Sequence, residues 1–191
     1  MADRETLYFD DAAAWERWLD ENHALSDAID LAIAKKGAGV PSVTAAEALE
    51  VALCFGWING VRNRLDERHY LQSYMPRRAR STWSQVNRDI VEELIAAGRM
   101  RPAGQTEIDR AKADGRWDAA YAPASRIEVP PELQSLLDAN PAAAAFFATL
   151  SGQNRYAILF RIVTAKRPET RARRATTFVE MLERGETIYP Q

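Results

Sequence analysis

The sequence predicts an α+β fold, in which a small antiparallel sheet of about three strands packs with helices and an all-helical C-terminal subdomain follows. The sheet is predicted from a period-two alternation of apolar residues over Ile29–Ala34 and from two β-rich runs, Trp57–Leu65 and Tyr70–Met75. Asp66 to His69 separate these runs by a loop of hairpin length. From Ser84 onward apolar residues recur at helical spacing, so the remainder is predicted to be helical.

Two helices are predicted around the first strand. Leu7 to Phe9 is either a short strand or an entry segment, and Asp10 or Asp11 then offers a side-chain cap to a helix with the apolar stripe Trp15, Trp18 and Leu19. The capping-box pattern Thr44–Glu47 predicts the start of the second helix. Gly56 is placed to end that helix in a left-handed conformation.

Helix signals also follow the predicted hairpin. Ser84 can cap a helix that Gly98 ends, and Pro102 fits the first turn of another helix that ends near Gly115. Three or four further helices are predicted near the C-terminus, one of them capped by Asn140.

The domain organisation is predicted from the proline-rich residues 122–131, which disfavour a continuous helix and read as a linker. Residues 1–121 then form an α+β domain with an Arg/Trp-rich hairpin. Residues 132–191 form the helical C-terminal subdomain.

Composition excludes several classes of protein. The 191-residue chain is 47% hydrophobic with a net charge of −2, so it has material for a core and lacks the global basic field of a general nucleic-acid binder. A single cysteine, Cys54, excludes an intramolecular disulfide and cysteine-rich zinc sites, and no metal or other cofactor is predicted. The acidic start, Met1 to Glu5, does not fit a secretory signal, and no apolar run is long enough for a membrane span. The cytoplasm is therefore the expected location.

An arginine-rich stretch coincides with the predicted hairpin. Six arginines between Arg62 and Arg80 accompany two acidic residues, which gives a local charge of +4. Guanidinium groups bind carboxylates and phosphates and stack on aromatic rings, and tryptophans and tyrosines are interleaved with them. The stretch is either a surface for an anionic ligand or acidic partner, or the solvated face of an edge hairpin. The candidate contacts, centred on the turn before a helix N-terminus, are Arg77, Arg78, Arg80, Ser81, Trp83, Asn59 and Tyr74.

A second basic cluster surrounds Pro168, which is predicted to start the last helix. Charge runs on helices are usually solvent faces, so this cluster is either a solvated surface or a secondary basic patch. Its residues are Lys166, Arg167 and Arg171.

The sequence offers few catalytic candidates, and no catalytic residue is predicted. His23 is expected to end a helix and His69 to lie at the hairpin loop. Cys54 lies on a helix rich in alanine and leucine, which is typical of a buried, inert thiol. The sequence contains no Walker loop, GxGxxG, HExxH or GxSxG motif.

Six blocks of the sequence resemble the YdeI/OmpD-associated family, also called the bacteriocin-protection family. Together they cover nearly the whole chain: Glu47–Leu49, Ala52–Gly60, Tyr70–Ser84, Leu94–Met100, Ala111–Trp117 and Ala165–Arg171. The resemblance implies links to bacteriocin or antimicrobial-peptide resistance and to a porin, and it implies no catalytic residues. The family's usual Trp-Ile-Asp-Gly turn is Trp57-Ile58-Asn59-Gly60 here, which removes a charge but keeps hydrogen bonding and turn capacity.

Three functional hypotheses result. The leading one is a non-enzymatic binding or stress-resistance protein that contacts an unknown anionic small molecule or an acidic protein surface. The second is an enzyme acting on a small anion, with Arg77 and Arg78 positioning it and His69 or Asp66 transferring protons. The third, weak nucleic-acid binding, is disfavoured by the net negative charge. A porin association follows from the family name alone.

Overall fold

The computed structural model describes residues 4–190, so Met1 to Asp3 of the acidic start and Gln191 lie outside the described residues. The chain divides into two compact units, the first ending at Ala120 and the second beginning at Tyr121. The predicted linker at residues 122–131 and the domain bounds on either side of it stay a prediction.

The first unit combines four helices with a four-stranded sheet in its described residues: β1 Thr6–Tyr8, α1 Ala12–Asn22, β2 Ile29–Ala34, α2 Ala45–Cys54, β3 Trp57–Arg64, β4 His69–Pro76, α3 Gln85–Ala96 and α4 Pro102–Ala113. The strand order is β1-β2-β4-β3. Strand β4 is antiparallel to both β2 and β3, whereas β1 runs parallel to β2. The α+β fold class is confirmed.

The sheet has one strand more than predicted, and that strand makes it mixed. In β1, Leu7 lies opposite Leu31 of β2. Three residues are too few to show a period of two, so the sequence left this segment open between a strand and an entry segment. Pairing with β2, and not the β-propensity of these three residues, makes this segment a strand.

The predicted caps are confirmed. The Asp11 carboxylate accepts a hydrogen bond from the Ala14 amide at 2.7 Å, and Thr44 and Glu47 form both bonds of a capping box. Gly56 has φ 73°, the left-handed conformation expected where α2 turns into β3.

One sheet face forms the core of the first unit together with α1 and α2. The apolar side chains at alternate positions of β2 are buried in a cluster with helix residues: Ile29, Leu31, Ile33, Trp15, Leu19, Val51. The Trp15 ring lies 5.6 Å from the Tyr74 ring and 6.5 Å from the Trp57 ring, centre to centre. Trp57 and Tyr74 are therefore core residues.

Strand β3 follows the expected alternation at its start but is buried only there. Trp57 pairs with Pro76 and Asn59 pairs with Tyr74, which places Trp57 and Asn59 on the same face, yet Trp57 is buried and Asn59 is exposed. The ladder with β4 shifts register between Asn59 and Arg62, and β3 is an edge strand that extends beyond the core. Burial therefore ends after the first residues of the strand.

The second unit is helical in its described residues: α5 Pro131–Ala139, α6 Pro141–Ala148, α7 Gly152–Val163 and α8 Pro168–Glu183. Four helices are the upper of the two predicted numbers, and the Asn140 side chain caps α6 by accepting the Ala143 amide at 3.1 Å. Their core contains Leu133, Leu137, Ile158, Ile162 and Val179. No helix within residues 4–190 is both long and apolar enough to cross a membrane.

Candidate functional site

Residues 77–84, which we call the arginine turn, connect β4 to α3 and contain five of the seven predicted contact residues. The Arg78 amide donates to the Ser81 hydroxyl at 3.0 Å, and the Ser81 amide donates to the Arg78 carbonyl at 2.9 Å. The Ser84 hydroxyl then accepts the Asn87 amide at 3.1 Å and caps α3. The backbone of the turn is therefore fixed by local hydrogen bonds.

Arg77 points into the protein and stacks on Trp83. Arg77 is 6% exposed and Trp83 is 2% exposed, and the guanidinium carbon lies 3.6 Å from the indole ring centre. One Arg77 Nη also donates to the Thr82 carbonyl at 3.2 Å. In this geometry Arg77 and Trp83 stabilise the arginine turn.

A second arginine and tryptophan anchor the turn from the end of α4. The Trp117 ring lies 4.9 Å from the Trp83 ring. Buried Arg116 pairs with the Asp114 carboxylate at 2.7 Å and donates to the Ser81 carbonyl at 2.8 Å. These anchors are not among the contact residues predicted from the sequence, although Arg116-Trp117 repeats the Arg and Trp composition of the turn.

Arg78 and Arg80 are the solvent-facing cations of the turn. Within the described residues neither guanidinium makes a hydrogen bond or an ion pair. Ser81 is half-buried and its hydroxyl is used within the turn. Arg78 and Arg80 are therefore the predicted contact arginines that remain available to a ligand.

The other arginines of the sequence cluster lie at the far end of the hairpin. Arg62, Arg64 and Arg68 flank the loop before β4, and Arg77 follows the end of that strand. Eight residues of strand separate the two ends by about 25 Å. The arginines that form one cluster in the sequence therefore form two separate groups in space. The Arg62 guanidinium carbon lies 4.3 Å from the Tyr70 ring centre.

Asn59 and Tyr74 pair with each other in the sheet and lie outside the turn. Tyr74 is buried in the core, and burial raises the pKa of its phenol. Asn59 is exposed at the start of the register shift in β3.

The Asp66–His69 pair organises the hairpin loop. Asp66 accepts hydrogen bonds from the backbone amides of His69 and Arg68 at 2.6 and 2.7 Å, and these bonds, led by that of His69, lower the pKa of Asp66. The His69 Nδ1 lies 3.3 Å from the carboxylate. Since the loop and the arginine turn are at opposite ends of β4, this pair does not face Arg77.

The remaining reactive candidates are structural. His23 ends α1, as predicted, with Nδ1 2.8 Å from the Leu19 carbonyl. Cys54 is buried, and burial raises the pKa of its thiol. Residues 4–190 contain no group of three or more His, Cys, Asp or Glu side chains that could hold a metal ion.

The three residues of the secondary basic patch differ in exposure and in contacts. Lys166 and Arg167 are exposed before the start of α8. Arg171 is half-buried, and its Nε lies 4.0 Å from the Glu132 carboxylate. Only the first two of these cations are fully solvent-facing.

Two family models match different segments of the chain. Residues 7–107, more than half of the chain, match the model of a domain of unknown function, DUF8412. The chain belongs to the DUF8412 family. The matched segment contains the arginine turn and all of the sheet except Thr6.

The C-terminal part matches a second model. Residues 126–185 match the family described as bacteriocin-protection, YdeI or OmpD-associated, which confirms that resemblance for this segment. Of the six blocks that carried the resemblance, Ala165–Arg171 lies within this segment. Four blocks fall in the DUF8412 segment: Glu47–Leu49, Ala52–Gly60, Tyr70–Ser84 and Leu94–Met100. Ala111–Trp117 lies between the two matches. No curated protein and no solved structure matches the chain significantly.

Proposed function

We propose that this DUF8412-family protein is a non-enzymatic binding protein that contacts an anionic small molecule or an acidic protein surface through Arg78 and Arg80. The observation that supports this most is the contrast within one turn. Two guanidinium groups face solvent without a partner among the described residues, while buried Arg77 and Arg116 hold the backbone beneath them. A fixed backbone lowers the entropy cost of binding, because less of the site must be ordered.

The chemistry of the turn fits an oxyanion. Guanidinium groups donate in a planar fork that matches carboxylate and phosphate groups. The turn also leads directly into α3, whose N-terminal dipole end favours negative charge nearby. Both features favour the same sign of ligand charge.

The family description of residues 126–185 supports a biological setting for this binding. It names bacteriocin protection, so the proposal includes a role in resistance to bacteriocins or a related stress. The cytoplasmic location expected from the sequence is part of the same proposal.

The test compares two pairs of exposed arginines. The double variant Arg78→Ala/Arg80→Ala removes the proposed contacts, and Arg64→Ala/Arg68→Ala removes the same charge from the other end of the hairpin. Binding is measured by calorimetry with three probes: inorganic phosphate, a glutamate-rich peptide and a single-stranded oligonucleotide. We expect at least a tenfold loss of affinity in the first variant only, for phosphate or the peptide.

Two outcomes would overturn the proposal. One is equal affinity of both variants and the wild type for every probe that binds. The other is tight binding of the oligonucleotide alone with a steep dependence on salt, since counterion release is the mark of nucleic-acid binding.

A further inference from the structure

Cations continue from the arginine turn onto the end of α4. The Trp83 ring of the turn lies 4.9 Å from the Trp117 ring, centre to centre. Lys112 is exposed in the last turn of α4, and its Nζ lies 5.2 Å from the centre of the Trp117 ring. Arg116 also joins the two segments, because its Nη1 donates to the Ser81 carbonyl at 2.8 Å. One continuous set of contacts therefore connects Lys112 with the arginine turn.

Lys112 carries a charge that the described residues do not neutralise. Its ammonium lies over the Trp117 ring and makes no ion pair within residues 4–190. The Asp114 carboxylate, two residues further along the chain, is bonded to Arg116 at 2.7 Å. A cation over an aromatic ring is held in place but keeps its charge. Lys112 is therefore an exposed cation that is available to a ligand, as are the two exposed arginines of the turn.

The spread of these cations favours a partner with several negative charges. A small anion at the turn meets only Arg78 and Arg80, and each exposed ion pair strengthens binding by less than about tenfold because water screens it. An acidic protein segment can add a pair with Lys112, and a second pair on the same segment forms at a high effective concentration. The net charge of −2 does not supply the broad basic field that nucleic-acid binding requires. A short acidic segment of a protein is therefore the class of ligand that fits these cations.

We propose that the partner of the arginine turn is an acidic protein segment that binds Arg78, Arg80 and Lys112 together. This inference rests on the proposed function, in which an anionic small molecule or an acidic protein surface binds the turn, and it selects the second. It also adds a contact residue from α4 to the site. Carboxylates of the segment pair with the two guanidinium groups and with the Lys112 ammonium, while the contact between Trp83 and Trp117 holds the turn and the end of α4 together.

The test varies the number of carboxylates in the probe. Inorganic phosphate, triglutamate and decaglutamate are titrated by calorimetry into the wild type, Lys112→Ala and Arg78→Ala/Arg80→Ala. We expect the wild type to bind decaglutamate at least tenfold more tightly than triglutamate or phosphate. Lys112→Ala should weaken decaglutamate binding at least threefold, and the double variant should weaken it at least tenfold. Circular dichroism confirms that each variant is folded.

Lys36→Ala is the matched control for Lys112→Ala. Lys36 is also an exposed lysine, but it follows β2 beside the hairpin loop, where the neighbouring Lys35 amide donates to the Arg68 carbonyl at 2.7 Å. We expect Lys36→Ala to bind decaglutamate as the wild type does. Equal losses in the two lysine variants would overturn the inference, because binding would then depend only on total charge.

The other outcomes separate this inference from the proposed function. Phosphate binding as tight as that of decaglutamate, with both lost in Arg78→Ala/Arg80→Ala, would overturn the acidic segment and leave the proposed function standing. Decaglutamate binding that the double variant does not weaken would overturn both. A single-stranded oligonucleotide that binds more tightly than decaglutamate would overturn the inference by making a nucleic acid the partner.

Discussion

The guanidinium carbon of Arg77 lies 3.6 Å above the indole ring of Trp83, with both side chains buried. The stack spans the arginine turn, because Arg77 enters it from β4 and Trp83 leaves it just before α3. A buried guanidinium requires partners for its charge and its N–H groups, and the Trp83 ring and the Thr82 carbonyl are two of the partners of Arg77. The turn is thereby part of the core on its inner side and a charged surface on its outer side.

The buried residues of the arginine turn should contribute more to the free energy of unfolding than its exposed residues. Trp83→Ala removes a buried ring that also contacts Trp117, and we expect a loss of about 3–5 kcal/mol in the free energy of unfolding. Arg78→Ala, one residue from Arg77 but exposed, should change it by less than about 0.5 kcal/mol. Urea unfolding followed by far-UV circular dichroism measures both, and similar effects of the two variants would contradict the division.

The contact between α2 and α4 should tolerate no side chain at Gly104. A Cβ built there would lie 2.2 Å from the Cys54 carbonyl oxygen and 2.6 Å from the Met100 sulfur, so the helices must separate. We expect Gly104→Ala to destabilise the protein by about 1–3 kcal/mol or more. Gly152→Ala is the matched control, because its Cβ would meet no atom within 4 Å. Thermal unfolding should show a clear drop for the first variant, and equal melting temperatures would be inconsistent with the close approach.

The hairpin loop should contribute a stability that depends on pH. Hydrogen bonds led by that from the His69 amide lower the pKa of Asp66 in the folded state. A group with a lowered folded pKa stabilises fully above its unfolded pKa, at about pH 4, and loses the effect as the pH falls through the folded value. Asp66→Asn should therefore melt below the wild type at pH 7, with the difference shrinking below about pH 4. Glu67→Gln controls for removal of a neighbouring charge, and a difference that is constant with pH would refute the assignment.

Cys54 should be unreactive in the folded protein. Burial removes it from solvent and raises the pKa of its thiol, which lowers the fraction of thiolate that attacks a disulfide reagent. At pH 8 we expect reaction with an aromatic disulfide to be at least a hundredfold slower in buffer than in denaturing urea. Comparable rates in the two solutions would show that the thiol is accessible.

Local signals in the sequence predicted much of the fold. The capping box at Thr44 and Glu47, the left-handed Gly56 and the alternation along β2 each depend on residues close in sequence, and each is present in the structure. The sequence does not decide strand β1, because its pairing with β2 spans more than twenty residues of intervening chain.

The candidate site was harder to predict, because charge in a sequence does not distinguish a buried arginine from an exposed one. Arg77 and Arg78 are adjacent and chemically identical, yet one stacks on Trp83 and the other faces solvent. The anchoring contacts from Arg116 come from 35 residues beyond Ser81 in the chain, where no local pattern connects them. The contact of Arg78 and Arg80 with an anionic ligand stays a prediction.

The most direct measurement of that prediction is an NMR titration of the arginine side-chain Nε–Hε signals with the probe that the wild type binds. The account predicts that the signals of Arg78 and Arg80 shift on addition of the probe, while those of Arg64 and Arg68 at the other end of β4 do not. Shifts confined to Arg64 and Arg68, or no shift at Arg78 and Arg80 at saturating probe, would contradict it.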